Sequence, residues 1–251
     1  MLWVESGGTG SRTVLLLHGL GATAAVWTGV RTALERRGDL CWVAADLPGH
    51  GRSAWEPGYS VGSMAARLAA DLGAQTGELF IVGHSLGAYL ALALASGWFK
   101  MRVVGVLGIG PKISWSQAEL QGAQELAARP VRDYPSAEEA WTRYRRVSGL
   151  GADIAPATEV LAAGITQVPG GWRLAQDPRT FAVAGAPFGS LAASATGRIM
   201  LARGAGDPMV SLAELRQHAP RARELAHTGH NAHVEAPGAV LALLDELLAD
   251  A

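Results

Sequence analysis

The chain has 251 residues, 49% of them apolar and 17% charged, and a net charge of −1. Such a composition suits one large globular domain, or a core with an insertion, rather than a disordered chain; the near-neutral charge gives no electrostatic case for nucleic acid or an acidic membrane surface. The single cysteine, Cys41, cannot form an internal disulfide and fits a reducing, cytoplasmic compartment. The opening MLWVESGGTG lacks the basic start and apolar segment of a secretory signal, and no apolar run approaches the roughly 20 residues of a membrane span.

In chain order, TVLLLHG (13–19), LCWVAADLP (40–48), LFIVGHS (79–85), VVGVLGIG (103–110) and RIMLARG (198–204) read as strands, with AREL (222–225) a short sixth candidate. They are continuous rather than alternating apolar runs, which marks parallel strands covered on both faces. Helices are expected at 27–37, 61–75, 86–97, 212–218 and 240–249. The alternation predicts an α/β fold with a mostly parallel, doubly wound sheet.

The interval 111–197 breaks the rhythm. Ser116 with Glu119, and Ser136 with Glu139, have the spacing of a helix start, and Asp177-Pro178 is a further start signal. Three or four short helices are expected here, forming a helical lid (111–197) inserted into a core made of 1–110 and 198–251. The lid aromatics Trp115, Trp141, Tyr144, Trp172, Phe181 and Phe188 serve packing more often than substrate contact.

Two serines sit in Gly-x-Ser-x-Gly: Ser60 in GYSVG and Ser85 in GHSLG. In a chain with 32 glycines the pattern alone decides nothing, so context must choose. Ser85 has a strand before it and a helix after it, and Gly83 and Gly87 remove side chains from the sharp turn between them. Such a turn strains the serine backbone and projects its hydroxyl at the carboxyl end of the sheet, where ligands gather. Ser60 follows a Glu-Pro-Gly turn and no strand; it reads as a helix N-cap. Ser85 is the nucleophile candidate.

At this point the chain resembles the α/β-hydrolase fold superfamily. The similarity rests on HGLG (18–21), DLPGHGRS (46–53), GHSLG (83–87), GAGDPMV (204–210) and GHNAHVEAP (229–237), in that order. It implies a Ser–acid–His order, a lid after the strand that follows the nucleophile helix, and no cofactor. About a dozen residues precede the HGLG strand, so part of the usual first hairpin is expected to be missing. Backbone N–H groups of Leu20 and Leu86 would form the oxyanion hole. Asp207, just past a late strand, fits the acid. Of seven histidines, His18, His50 and His84 lie in motifs whose family role is structural, and His218 is far from any strand end. His227, His230 and His233 remain. The base must reach Ser85 across the top of the sheet, which favours His230, with Gly229 allowing the chain to turn; the family pattern Gly-His, four residues, Glu, one residue, Pro agrees.

The chemistry expected is acyl transfer to serine. The base takes the hydroxyl proton, and the carboxylate orients the imidazole. The substrate expected is a small to medium carboxylic ester or lactone; carbon–carbon bond hydrolysis, a lyase like those of menaquinone biosynthesis, perhydrolysis, or a non-catalytic receptor would use the same scaffold. Trp27, Trp115, Trp141, Phe188 and His233 are expected at the substrate pocket. DLPGHGRS lacks the Gly-Lys-Ser/Thr ending of a phosphate loop, and no histidine and cysteine spacing suits zinc.

Overall fold

The computed structural model of the protein describes residues 1–73, 77–151 and 158–249. The first half of the core runs β1 (Val4–Gly8), β2 (Arg12–Leu17), α1 (Thr28–Arg37), β3 (Leu40–Ala45), α2 (Val61–Leu72), β4 (Glu78–His84), α3 (Leu86–Ala95) and β5 (Val103–Ile109). An insertion follows, with α4 (Gln117–Ala127), β6 (Asp133–Tyr134), α5 (Ala137–Ser148), α6 (Glu159–Ala163), β7 (Ile165–Val168), β8 (Gly171–Leu174) and α7 (Phe188–Ser194). The core resumes with β9 (Arg198–Gly204), α8 (Leu212–Arg216), β10 (Arg223–Leu225), α9 (Ala232–Glu235) and α10 (Pro237–Ala249). The tail of the expected 61–75 helix, 74–75, lies outside the described residues.

Among the described residues the central sheet has seven strands in the order β1-β3-β2-β4-β5-β9-β10. Every neighbouring pair is parallel except β1 with β3. Apolar residues alternate between two cores. Leu15, Leu17, Leu79 and Ile81 face α2 and α3, while Val14, Leu16, Phe80 and Val82 face α1 and α10. Both faces are buried, so the strands carry no polar alternation. Helix α3 is buried along its whole length, which explains its unbroken LGAYLALALA. The chain leaves β2 toward β3 but leaves β4 toward β5, so the strand order reverses between β2 and β4. The crevice of an open α/β sheet opens at such a point.

One strand, Val4–Gly8, precedes the HGLG strand; it lies at the sheet edge, antiparallel to β3 rather than paired with β2, so the two form no hairpin. Its VESGG has no apolar alternation to announce it. One expectation changes: the insertion is not purely helical, since β6, β8 and β7 make a small antiparallel sheet. Its hairpin signal, Pro169-Gly170 between ITQV and GWRL, is legible in the sequence. Helix α7 packs on α3, with Phe188 buried in that core.

Ser60 caps α2, its hydroxyl accepting from Ser63 N–H at 3.0 Å. Ser60→Ala is expected to lower stability by about 0.5–2 kcal/mol in denaturant unfolding while leaving activity intact.

Candidate active site

Ser85 joins β4 to α3 with φ 50° and ψ −111°, a conformation most side chains avoid. The turn is possible because neighbours are glycine. A Cβ on Gly83 would lie 2.2 Å from the Gly87 carbonyl oxygen, and one on Gly87 would lie 2.1 Å from that of Leu17. Ser85 N–H donates to the Ile109 carbonyl at 2.8 Å, which ties the turn to the end of β5. Strain of this kind typically costs about 1–3 kcal/mol and marks a position kept for its geometry.

Asp207 follows β9 and its side chain is wholly buried. Its Oδ1 accepts from Met209 N–H at 2.8 Å, closing the Asp-Pro turn, while Oδ2 lies 3.0 Å from His230 Nδ1. One carboxylate therefore shapes its own loop and orients the imidazole. With Nδ1–H given to Asp207, His230 Nε2 is left free to take a proton. The His230 loop is held from two sides: Glu235 Oε2 accepts from Gly229 N–H at 2.7 Å, and His84 Nε2–H donates to the His230 carbonyl at 2.9 Å.

Ser85, His230, Leu20 and Leu86 border one cavity of about 1350 Å³, roofed by the insertion. Leu86 opens α3, where the first N–H groups have no intrahelical partner. Neutral imidazoles brace the loop after β2. His18 Nε2 accepts from Leu47 N–H at 2.9 Å, and His50 Nε2 accepts from Gly21 N–H at 3.1 Å. Burial, first among the causes, lowers their pKa values from 6.5 to about 4 for His18 and about 3 for His50.

The expected pocket residues separate. Trp115 borders the cavity, as does Phe181. Trp27 is fully buried behind the site, Phe188 is buried edge-on against Tyr89, and Trp141 packs on the core below the insertion. His233 is also no pocket residue. It is 1% exposed and wedged between Trp27 and His84, with ring centroids 4.5 and 4.2 Å away. One turn of α9 carries it past His230 to the core side, where burial pushes its pKa down to about 3. His227 is exposed.

The sequence reading missed several neighbours. Gly110, at φ 57°, lies against Asp207 and His230: a Cβ there would be 2.9 Å from Asp207 Oδ2 and 3.2 Å from His230 Nδ1. Its position at a strand end before proline is the available signal. Tyr89, Lys112, Val147 and Asn231 also border the cavity; no local pattern singles them out. Among the described residues no cluster of side chains suits a metal ion, and no helix is long and apolar enough to cross a membrane.

Comparison with known proteins gives the same framework. The chain is 29% identical over 152 residues to lipase LipV of Mycobacterium tuberculosis, covering 60% of this chain and 55% of that protein. It is 36% identical over 154 residues to the pimeloyl-(acyl-carrier protein) methyl ester esterase of Edwardsiella ictaluri, covering 59% and 56%. The chain thus spans little more than half the length of these curated relatives. Among solved structures, E-2-(acetamidomethylene)succinate hydrolase superposes with a TM-score of 0.77 at 22% identity, over 100% of this chain and 95% of that one. An N-acyl homoserine lactonase, AidH, superposes with 0.72 at 20%, over 99% and 92%. The family model for the alpha/beta hydrolase family matches residues 14–243, nearly the whole sheet and its loops, and the chain belongs to that family.

Proposed function

We propose that the protein is a serine hydrolase that cleaves a small to medium carboxylic ester or lactone through an acyl-enzyme. The observation that carries this reading is the Asp207–His230 hydrogen bond beside the cavity that also holds Ser85. Ser85 Oγ attacks the carbonyl carbon while His230 Nε2 takes its proton. The oxyanion is held by the N–H groups of Leu20 and Leu86, and such a donor typically contributes about 2.7–4 kcal/mol. Collapse breaks the bond to the alcohol oxygen, which leaves with the proton from His230. Water, deprotonated by the same base, then attacks the acyl-enzyme and returns Ser85 as the acid departs. The esterase and lipase names of the relatives support an ester as substrate.

A fluorophosphonate probe is expected to label the protein at Ser85, and the Ser85→Ala variant is expected to remain unlabelled. Labelling of that variant sinks the assignment. The HGLG loop resembles the form that accompanies short or medium acyl groups, and the apolar residues that the insertion brings to the cavity, Trp115, Leu126 and Phe181, shelter such chains from water. Activity on p-nitrophenyl esters is therefore expected to peak at or below about eight acyl carbons. A maximum at palmitate indicates a lipase-like site instead.

A further inference from the structure

The end of α5 touches both halves of the catalytic apparatus. Val147 packs on the oxyanion loop so closely that a Cβ on Gly21 would lie 2.5 Å from its Cγ1. One residue on, the backbone meets the residue that follows His230. Asn231, adjacent to His230 and 3% exposed, donates from Nδ2 to the carbonyls of Ser148 at 3.3 Å and Gly149 at 2.7 Å. The last carbonyls of a helix have no intrahelical partner, and here a side chain from another part of the chain serves them. The partners also determine the amide's orientation, because only its NH₂ can face two carbonyl oxygens.

We propose that Asn231 is a positioning residue for the base, joining the end of α5 to His230. This rests on the reading of His230 as that base. Asn231 N–H groups hold the helix end; the helix end holds Asn231; and His230 is one peptide bond away. On the other side Val147 backs Gly21, one residue from the Leu20 N–H. Seating of α5 and alignment of base and oxyanion loop are thus coupled through Val147–Gly149. A substrate that fills the cavity, which Arg146 to Leu150 border, presses on the element that aligns the reacting groups. An aspartate at 231 would set a carboxylate against two carbonyls at the negative end of a helix, and a leucine would keep the volume but lose both donors.

Two variants approach the contact from opposite sides. Asn231→Leu removes the donors. Gly149→Ala adds a methyl where a Cβ would lie 3.2 Å from Asn231 Nδ2, at a φ of 67°, and alters nothing in the loop of the base. Each is expected to lower kcat on p-nitrophenyl butyrate, and the rate of fluorophosphonate labelling, up to about 100-fold, with KM changed less, because displacement of about 1 Å at the base has that effect. Asn231→Gln, which keeps the donors, is expected to recover part of the rate. The double variant is expected to lose no more than the worse single one, since both act through one contact. Folding of each is checked by circular dichroism and thermal unfolding. A full labelling rate in folded Asn231→Leu, or losses that multiply in the double variant, overturns the proposal. If Asn231→Leu does not fold, Gly149→Ala decides alone, and an unchanged labelling rate there overturns it. If the unaltered protein is labelled yet turns over no ester, the hydrolase reading fails while the labelling rates still test the contact.

Discussion

His230→Ala is expected to lower kcat about a million-fold, Ser85→Ala as much, and the double variant no further, because nucleophile and base act as a unit. The reason lies in the proton. A serine hydroxyl is a poor nucleophile unless a base removes its proton during attack, and the base must be neutral and correctly turned. Asp207 turns His230 through the 3.0 Å contact to Nδ1, leaving Nε2 to accept. The rival His233 cannot do this. It is buried against Trp27 and His84, and among the described residues neither ring nitrogen has a hydrogen-bond partner. His233→Ala is expected to keep most of kcat and to change stability instead. Single-turnover kinetics on p-nitrophenyl butyrate separate the two histidines; equal collapse of both variants, with folding intact, contradicts the assignment of the base.

Acid is expected to unfold the protein cooperatively between about pH 6 and 4, beginning above the ordinary range of the carboxylates. His18, His50 and His233 are buried and neutral, with pKa values lowered by desolvation from 6.5 to about 4, 3 and 3. His84 is shifted in the same direction, by burial first and then by the neighbouring imidazoles. The sign follows. In the unfolded chain these rings take up protons as pH falls below about 6.5, whereas in the folded chain they stay neutral until about 3–4, so stability is complete above that window and drains away within it. At pH 5 each such histidine favours the unfolded state by about 2 kcal/mol, and the three with stated values by about 6, against a typical total of about 5–15. His18 and His50 are also acceptors for Leu47 and Gly21 N–H groups, and protonation would set two hydrogens against each other. Tryptophan fluorescence and circular dichroism against pH measure the transition. His233→Leu, which removes one such ring, is expected to move the midpoint to lower pH. A fold that persists to pH 4 with an unchanged denaturant midpoint excludes the mechanism.

Local order carried much of this protein's identity. The strand, Gly83-x-Ser85-x-Gly87 and the following helix occupy adjacent residues, so the strained turn and the serine it carries are readable without any tertiary contact. The same holds for Ser60 and Ser116 as caps, whose partners lie three residues away. Continuous apolar runs likewise reported strands with both faces covered, because burial on both sides leaves no place for polar alternation. Other features required the fold. Whether an aromatic meets substrate depends on which way its element is turned, and Trp27, Trp141 and Phe188 point into cores while Trp115 and Phe181 reach the cavity. His230 and His233 differ by three residues, and one turn of α9 sends the second to the core. Asp207 and His230 lie 23 residues apart, and Asn231 meets carbonyls 82 and 83 residues away. Such contacts have no signature in local spacing, since they form only when β9, β10 and α5 converge above the carboxyl end of the sheet.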